Sequence, residues 1–319
     1  MSEIPSPPSA GSRPGRLGVG IISAGRVGAV LGSALRAVDH RIIGVHAVSE
    51  ASRERAELLL PGVPVLRIDE IVERAELVLL AVPDDALAPL VRGLADLERW
   101  QPGQLVVHTS GRYGIGILEP ARRLGAIPLA LHPAMTFGGF STDVARLTGC
   151  PMAVTAPDAV LPIAQALAVE LGGEPFVLAE DARPAYHAAL AHGANHLVTL
   201  VDQAVRILTA AGVEGGAATL GPLLGAALDR ALTEDADSVL TGLTGPVSRG
   251  DAGTVRSHVE ALGALLDDEG RPLDDVVDAY RALARATTQR AEDAGRITGR
   301  QAEEVRGALA SDGDADDAG

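Results

Sequence analysis

Lysine is absent from this chain of 319 residues, and all 27 of its basic residues are arginine. That absence excludes Schiff-base chemistry on a lysine, the lysine of a phosphate-binding P-loop and a lysine general acid. The single cysteine, Cys150, allows no intrachain disulfide and no cysteine-rich metal site, the pattern of a reducing compartment, so the cytoplasm is expected. Aromatic residues make up only 2%, so the core is built from Ala, Leu, Val and Ile and few rings are available to stack on bases. Positive charge is also short: 42 acidic residues against 27 basic ones leave a net charge of −15. Nucleic acid and anionic membrane surfaces are poor partners for such a chain. No uninterrupted apolar run approaches the roughly 18 residues of a membrane span, and residues 1–15 lack the apolar stretch of a signal peptide.

What is present has the length of about two domains. Between residues 16 and 179, short apolar runs alternate with helical stretches. The runs 17–22, 41–48, 76–82, 104–110, 126–132, 151–156 and 175–178 read as strands, most of them apolar enough for burial on both faces. Strand and helix in alternation build a doubly wound parallel sheet of Rossmann type, an α/β dinucleotide-binding domain. From 180 to 310 the pattern is all-α, with one long helix over 183–212 and others near 217–233, 251–267, 272–294 and 299–310. Thr298 and Gln301 form a capping-box pattern at the start of the last one. The Pro/Ser-rich segment 1–15 and the acidic tail 311–319 read as disordered.

The strongest chemical signal is the first strand-to-helix turn, Ser23-Ala24-Gly25-Arg26-Val27-Gly28. In a dinucleotide fingerprint the second glycine lets the backbone approach a pyrophosphate and the third lets helix and strand pack closely. Gly25 and Gly28 fill those places, and Ser23 replaces the first glycine. Arg26, Val27 and Gly28 then present the helix N-terminus to the phosphates. After the second strand, Ser49 stands where an NAD site usually has an acid, and Arg53 follows, a combination that favours the 2′-phosphate of NADP. Glu50 keeps NAD open, and Ser49 is equally suited to capping the next helix. Pro83, Asp84 and Ser110 end two further strands on the same edge. His132, before Pro133, ends the next strand as a candidate proton donor or a structural histidine.

On the long helix, His187, Ala191 and Asn195 share one face at 100° per residue. His192 and His196 have metal-pair spacing, but no Glu or Cys cluster accompanies them, so no metal is expected. Tyr186 could supply a phenolic hydroxyl, but a core or interface ring is the preferred reading. In the loop Thr244–Asp251, Asp251 suits a helix cap and Arg249 suits a substrate carboxylate.

The motifs IISAGRVG (21–28), VPDD (82–85), HTSG (108–111), LHPAMTF (131–137), YHAALAHGANHL (186–197) and TGPVSRGD (244–251) occur in this order. In them the chain resembles an uncharacterised bacterial family with a Rossmann-like domain followed by a helical domain of unknown function. More distantly it is similar to pyrroline-5-carboxylate reductase, ketopantoate reductase, prephenate dehydrogenase and the β-hydroxyacid dehydrogenases. The resemblance implies NAD(P)-linked hydride transfer on a small-molecule substrate, often by a homodimer. It also implies a proton donor four residues before Asn195, where those dehydrogenases and ketopantoate reductase have lysine and this chain has Ala191. The proton must then come from His187, from His132 or from water, with Asn195 orienting the substrate and Arg249 holding its carboxylate. The expected function is an NADPH-linked reductase of a small carboxylate-bearing carbonyl or imine compound. A non-catalytic NADP-binding sensor is the rival, and acyl transfer through Ser110 ranks last.

Overall fold

The computed structural model describes residues 16–233 and 243–310, so the tails 1–15 and 311–319 lie outside the described residues. The chain divides into two compact units, one reaching Gly193 and one beginning at Ala194. In the first, seven strands form one sheet: β1 (Gly18–Ile22), β2 (Arg41–His46), β3 (Leu77–Leu80), β4 (Leu105–His108), β5 (Ile127–Pro133), β6 (Pro151–Thr155) and β7 (Glu174–Val177). Each falls within two residues of an apolar run in the sequence. Alternate side chains feed two cores. Val19, Leu77, Leu79 and Val107 pack with α1 (Arg26–Ala37), α2 (Glu50–Leu59) and α7 (Leu161–Glu170). Ile22, Val78, Leu80 and Val106 pack with α3 (Ile68–Arg74), α4 (Asp84–Asp96) and α5 (Glu119–Arg123) on the opposite face.

The strand order is β2-β1-β3-β4-β5-β6-β7. Beyond β2, the place of a further Rossmann strand is reduced to a single parallel bridge between Val45 and Val65. The chain leaves β1 toward β2 and later returns on its other side as β3, so the order reverses between β1 and β3. A ligand crevice opens at the carboxyl ends of such strands. The sheet is not wholly parallel as the alternating pattern implies, because β6 runs antiparallel to β5, with Pro133 opposite Met152. The connection over residues 134–150, which carries only the short helix α6 (Ser141–Arg146), therefore starts and finishes at the ligand edge instead of crossing the sheet.

The expected long helix is interrupted. It runs as α8 (Arg183–Leu190), a π-helical segment Ala191–Asn195 that contains Gly193, and α9 (His196–Ala210). A wider turn of this kind breaks the 100° phase. The common face read for His187, Ala191 and Asn195 does not carry across it. In the second unit, α10 (Gly216–Thr233), α11 (Ala252–Ala264), α12 (Asp274–Asp293) and α13 (Gly299–Ala308) follow. Val255, Ala284, Val305, Ala308 and Leu309 form its small core. The capping box at α13 is made, with Gln301 N donating to Thr298 Oγ1 and Thr298 N donating to Gln301 Oε1 at 3.0 Å.

Gly20 shows how closely helix and strand meet in the first unit. A Cβ there would lie 2.3 Å from Ile71 Cγ2 and 3.0 Å from Ala75 Cβ. Gly20→Ala should lower the unfolding free energy by about 1–3 kcal/mol through overpacking, measured by urea denaturation. An unchanged midpoint would show that α3 moves away from β1 freely.

Candidate active site

At the end of β1 the chain turns sharply, and Ala24 N donates to His46 O at 2.9 Å, tying the turn to β2. Ser23 has φ +85°, a backbone region that glycine enters without cost and serine does not. The first fingerprint position thus keeps the glycine conformation without the glycine. Gly28 has no alternative, because a Cβ there would lie within 2.1 Å of Ser23 O and 2.9 Å of Ala81 Cβ. Gly25 is the N-cap of α1, where no side chain caps the helix and no acid lies in the first turn. The free N–H groups of Arg26, Val27 and Gly28 and the positive end of the helix dipole are left to a ligand anion. These features fit the pyrophosphate of a dinucleotide.

A second arginine reaches this turn. Arg55 on α2 donates from Nη1 to Ala24 O at 3.1 Å. The β5–β6 connection places Gly139, at φ +85°, so close that a Cβ would meet Arg55 Nε at 2.6 Å and Arg26 Cγ at 3.1 Å. The buried Asp143 holds that loop by accepting from Gly139 N at 2.7 Å and Phe140 N at 3.2 Å. Sequence reasoning singled out Arg53 and passed over Arg55. The helical register was the available signal, since Arg55 is half-buried while Arg53 is exposed. Ser49 caps α2 by accepting from Ser52 N at 3.2 Å. Pro83 is the N-cap of α4 and Asp84 its half-buried first residue. Ser110 is a turn residue whose Oγ accepts from Arg112 N and Tyr113 N, both at 3.2 Å.

The ends of β4 and β5 gather a cluster of polar rings. His132 Nδ1 pairs with the Tyr186 hydroxyl at 2.9 Å, and the rings of His132 and His187 stand edge to face with centroids 6.1 Å apart. Tyr186, read from the sequence as a packing ring, instead presents its hydroxyl to a site histidine, a contact no local pattern records. Beneath them lies Arg183, with no exposed surface. All five of its N–H donors are used: Nε to Thr155 Oγ1, Nη1 to Ser110 O and Tyr113 O, and Nη2 to Ala130 O and Ala153 O, at 2.8–3.3 Å. Glu180 fastens the same loop by accepting from Ile115 N and Gly116 N, each at 2.8 Å.

This packing sets the charge states. Burial lowers Arg183 to about 10, so it remains a cation at neutral pH. Burial first, then the charges of Arg183 and His187, push His132 down to about 4, with Asp84 opposing weakly. His108 is pushed to about 3 by burial. Its Nδ1 accepts from Ser110 N, so its ring proton is on Nε2 and is donated to Gly114 O at 2.9 Å. Both histidines are therefore neutral at pH 7.

The remaining residues singled out in the sequence belong to the second unit. Asn195 is exposed in the π-helical segment. Arg249 is exposed in a turn where Asp251 caps α11, Ser248 Oγ donates to Gly245 O, and Gly245 and Gly250 supply positive φ. Arg249 takes part in the turn through its own N–H, which donates to Pro246 O at 3.2 Å. Among the described residues, no group of three His, Cys, Asp or Glu is placed to hold a metal ion. Nor is any helix among them long and apolar enough to cross a membrane.

Family models match the chain in two parts, a Rossmann-like domain over residues 3–133 and a domain of unknown function (DUF2520) over residues 150–287. The chain is a Rossmann-like domain followed by that second domain. No curated protein matches it. Among solved structures, a Bacteroides fragilis protein named as an NADP oxidoreductase is 20% identical, covers 85% of this chain and 98% of its own, and superposes with a TM-score of 0.68. An imine reductase from a Pseudomonas species is 16% identical over 92% of this chain and 100% of its own, TM-score 0.63. A Myxococcus stipitatus imine reductase in complex with NADP+ is 17% identical over 88% and 94%, TM-score 0.59. At these identities the likeness is one of fold.

His108 and His132 bind a proton more weakly in the native protein than in the unfolded chain, whose imidazoles titrate near 6.5. The unfolded state therefore takes up protons first, and native stability falls as pH is lowered from 6.5 toward about 4. In NMR of the native protein, the Cε1–H resonances of both rings should keep their neutral positions down to about pH 5.5. A native midpoint near 6.5 for either would contradict this account of the site.

Proposed function

We propose that this Rossmann-like and DUF2520 chain is an NADPH-dependent reductase of a small carboxylate-bearing carbonyl or imine compound. One observation carries the reading: an uncapped helix N-terminus at the point where the strand order reverses, in the same unit as the cluster of His132 at the end of β5 with Tyr186 and His187 of α8. Bound NADPH would supply the hydride. The N–H groups of residues 26–28 would hold its pyrophosphate, and Arg53 and Arg55 would meet the 2′-phosphate, with Ser49 ordering the turn between them. The buried charge of Arg183 favours an anionic substrate. The names of the Bacteroides and Myxococcus neighbours, which mention NADP, support the same cofactor. The absence of lysine favours one rival, a sensor that binds NADP without turnover.

A second copy of the chain completes the proposal. Helix α10 carries only Asp229 and Arg230 as charged residues, yet Leu223 is 68% and Leu232 81% exposed. A helix apolar on all sides is ordinarily buried, and a homodimer would bury this one. Leu223→Asp with Leu232→Asp should convert a dimer to a monomer in sedimentation equilibrium; a wild-type monomer would remove the pairing.

Titration with NADPH and NADH, followed by nicotinamide fluorescence, tests the nucleotide site. NADPH should bind at micromolar concentration and at least about tenfold more tightly than NADH, a difference of about 1.4 kcal/mol. Arg55→Ala should erase most of that difference while leaving NADH binding unchanged. If neither nucleotide binds, the turn at Ser23–Gly28 is structural and the reductase reading fails.

A further inference from the structure

Two imidazole nitrogens converge above Gly111. A Cβ at that residue would lie 2.7 Å from His187 Nδ1 and 2.8 Å from His132 Nε2, so only glycine lets both rings approach the backbone there. His187 Nδ1 is buried and has no hydrogen-bond partner. Most buried polar atoms are paired, and an orphan marks a position that a ligand atom would satisfy. His132 turns Nε2 to the same glycine, since its Nδ1 is engaged by the Tyr186 hydroxyl. Among the described residues, these are the two imidazoles whose free ring nitrogens meet over a glycine.

We propose that His132 Nε2 and His187 Nδ1, flanking Gly111, form an oxygen subsite that holds a substrate carbonyl, so that the reacting group is a neutral carbonyl and not a protonated imine. The inference rests on the nucleotide reading above and deepens it. Hydride addition to the carbonyl carbon breaks the C=O π bond and moves its electron pair onto oxygen. That oxygen takes the proton of His132 Nε2, and the Tyr186 hydroxyl returns one to Nδ1. Tyr186 is only half-buried and recovers its proton from solvent. One hydride and one proton are consumed, the carbonyl is reduced to an alcohol and NADPH is oxidised to NADP+.

Charge separates the two substrate classes. An oxygen gaining negative charge is stabilised by preorganised donors and a nearby buried cation. An imine is reduced as its iminium cation, and here that charge would lie over Arg183, whose five hydrogen bonds all go to neutral oxygens. Glu180 is engaged with two backbone N–H groups. Of the charges acting on His132, Arg183 and His187 oppose a cation; Asp84 favours one and has the smallest effect.

The test uses the full chain with NADPH. Fluorescence titration should give NADPH affinities within about threefold for wild type, Gly111→Ala and His187→Ala, with a thermal melt confirming that each variant folds. NADPH oxidation is then followed with a panel of short 2-oxo acids and with 1-pyrroline. The 2-oxo acids should be favoured at least about tenfold in kcat/KM. Gly111→Ala should lower their turnover by roughly 10²–10⁴, the range of a lost general-acid contribution, and His187→Ala should lower it as well; the latter decides if the former does not fold. Preference for 1-pyrroline, full turnover in either folded variant, or no oxidation with either class by a protein that binds NADPH would each overturn the assignment. Failure to bind NADPH would instead remove the nucleotide reading beneath it.

Discussion

The first unit depends on the guanidinium of Arg183. A planar fork with five donors, wholly out of water, gathers carbonyls from the β4 turn, from β5 and from β6, with a threonine hydroxyl completing the set. Two of those carbonyls lie in β5 and β6, which pair antiparallel over four residues, and two lie in the turn after β4, so the guanidinium ties that turn to both strands. Burying a charge without a carboxylate partner costs several kcal/mol, offset only when its hydrogen bonds are complete. Lysine, a point charge with three donors, could not make the same set of contacts.

From that fixed point the site follows. Arg183 and Glu180 hold the loop from Ser110 to Gly116, His108 ties Gly114 from the other side, and Gly111 is left as the floor beneath His132 and His187. Burial and the same cation keep His132 uncharged. At the other end of the crevice, backbone geometry takes the place of charge: Ser23 in a glycine conformation and Gly28 without room for a methyl group set α1 against β1 with its N-terminus open. Strain at a turn of this kind is typical of ligand-binding positions.

Much of this architecture is legible in the sequence because it is local. Every strand shows as an apolar run, the fingerprint turn as glycines between a strand and a helix, and Thr298 with Gln301 as a cap. The antiparallel turn of β6 is not legible, since a strand has the same pattern in either direction. The π-helical segment is not either: Ala191–Asn195 contains helix-compatible residues, and only the backbone shows that the phase is lost. Arg55 was passed over and the hydroxyl of Tyr186 was ranked second for the same reason, because their partners, Ala24 and His132, lie 31 and 54 residues away.

The sequence by itself determined the element types, the open helix N-terminus and the absence of any lysine to act as proton donor. These follow from periodicity, capping chemistry and composition, which operate over a few residues or over none. Only the tertiary structure decided that Arg183 is buried, that His132 and His187 meet beside Gly111 with the Tyr186 hydroxyl on His132, and that His132 and Tyr186 are both uncharged at neutral pH. Burial and electrostatic fields depend on which distant residues exclude water from a group, and that is settled by packing.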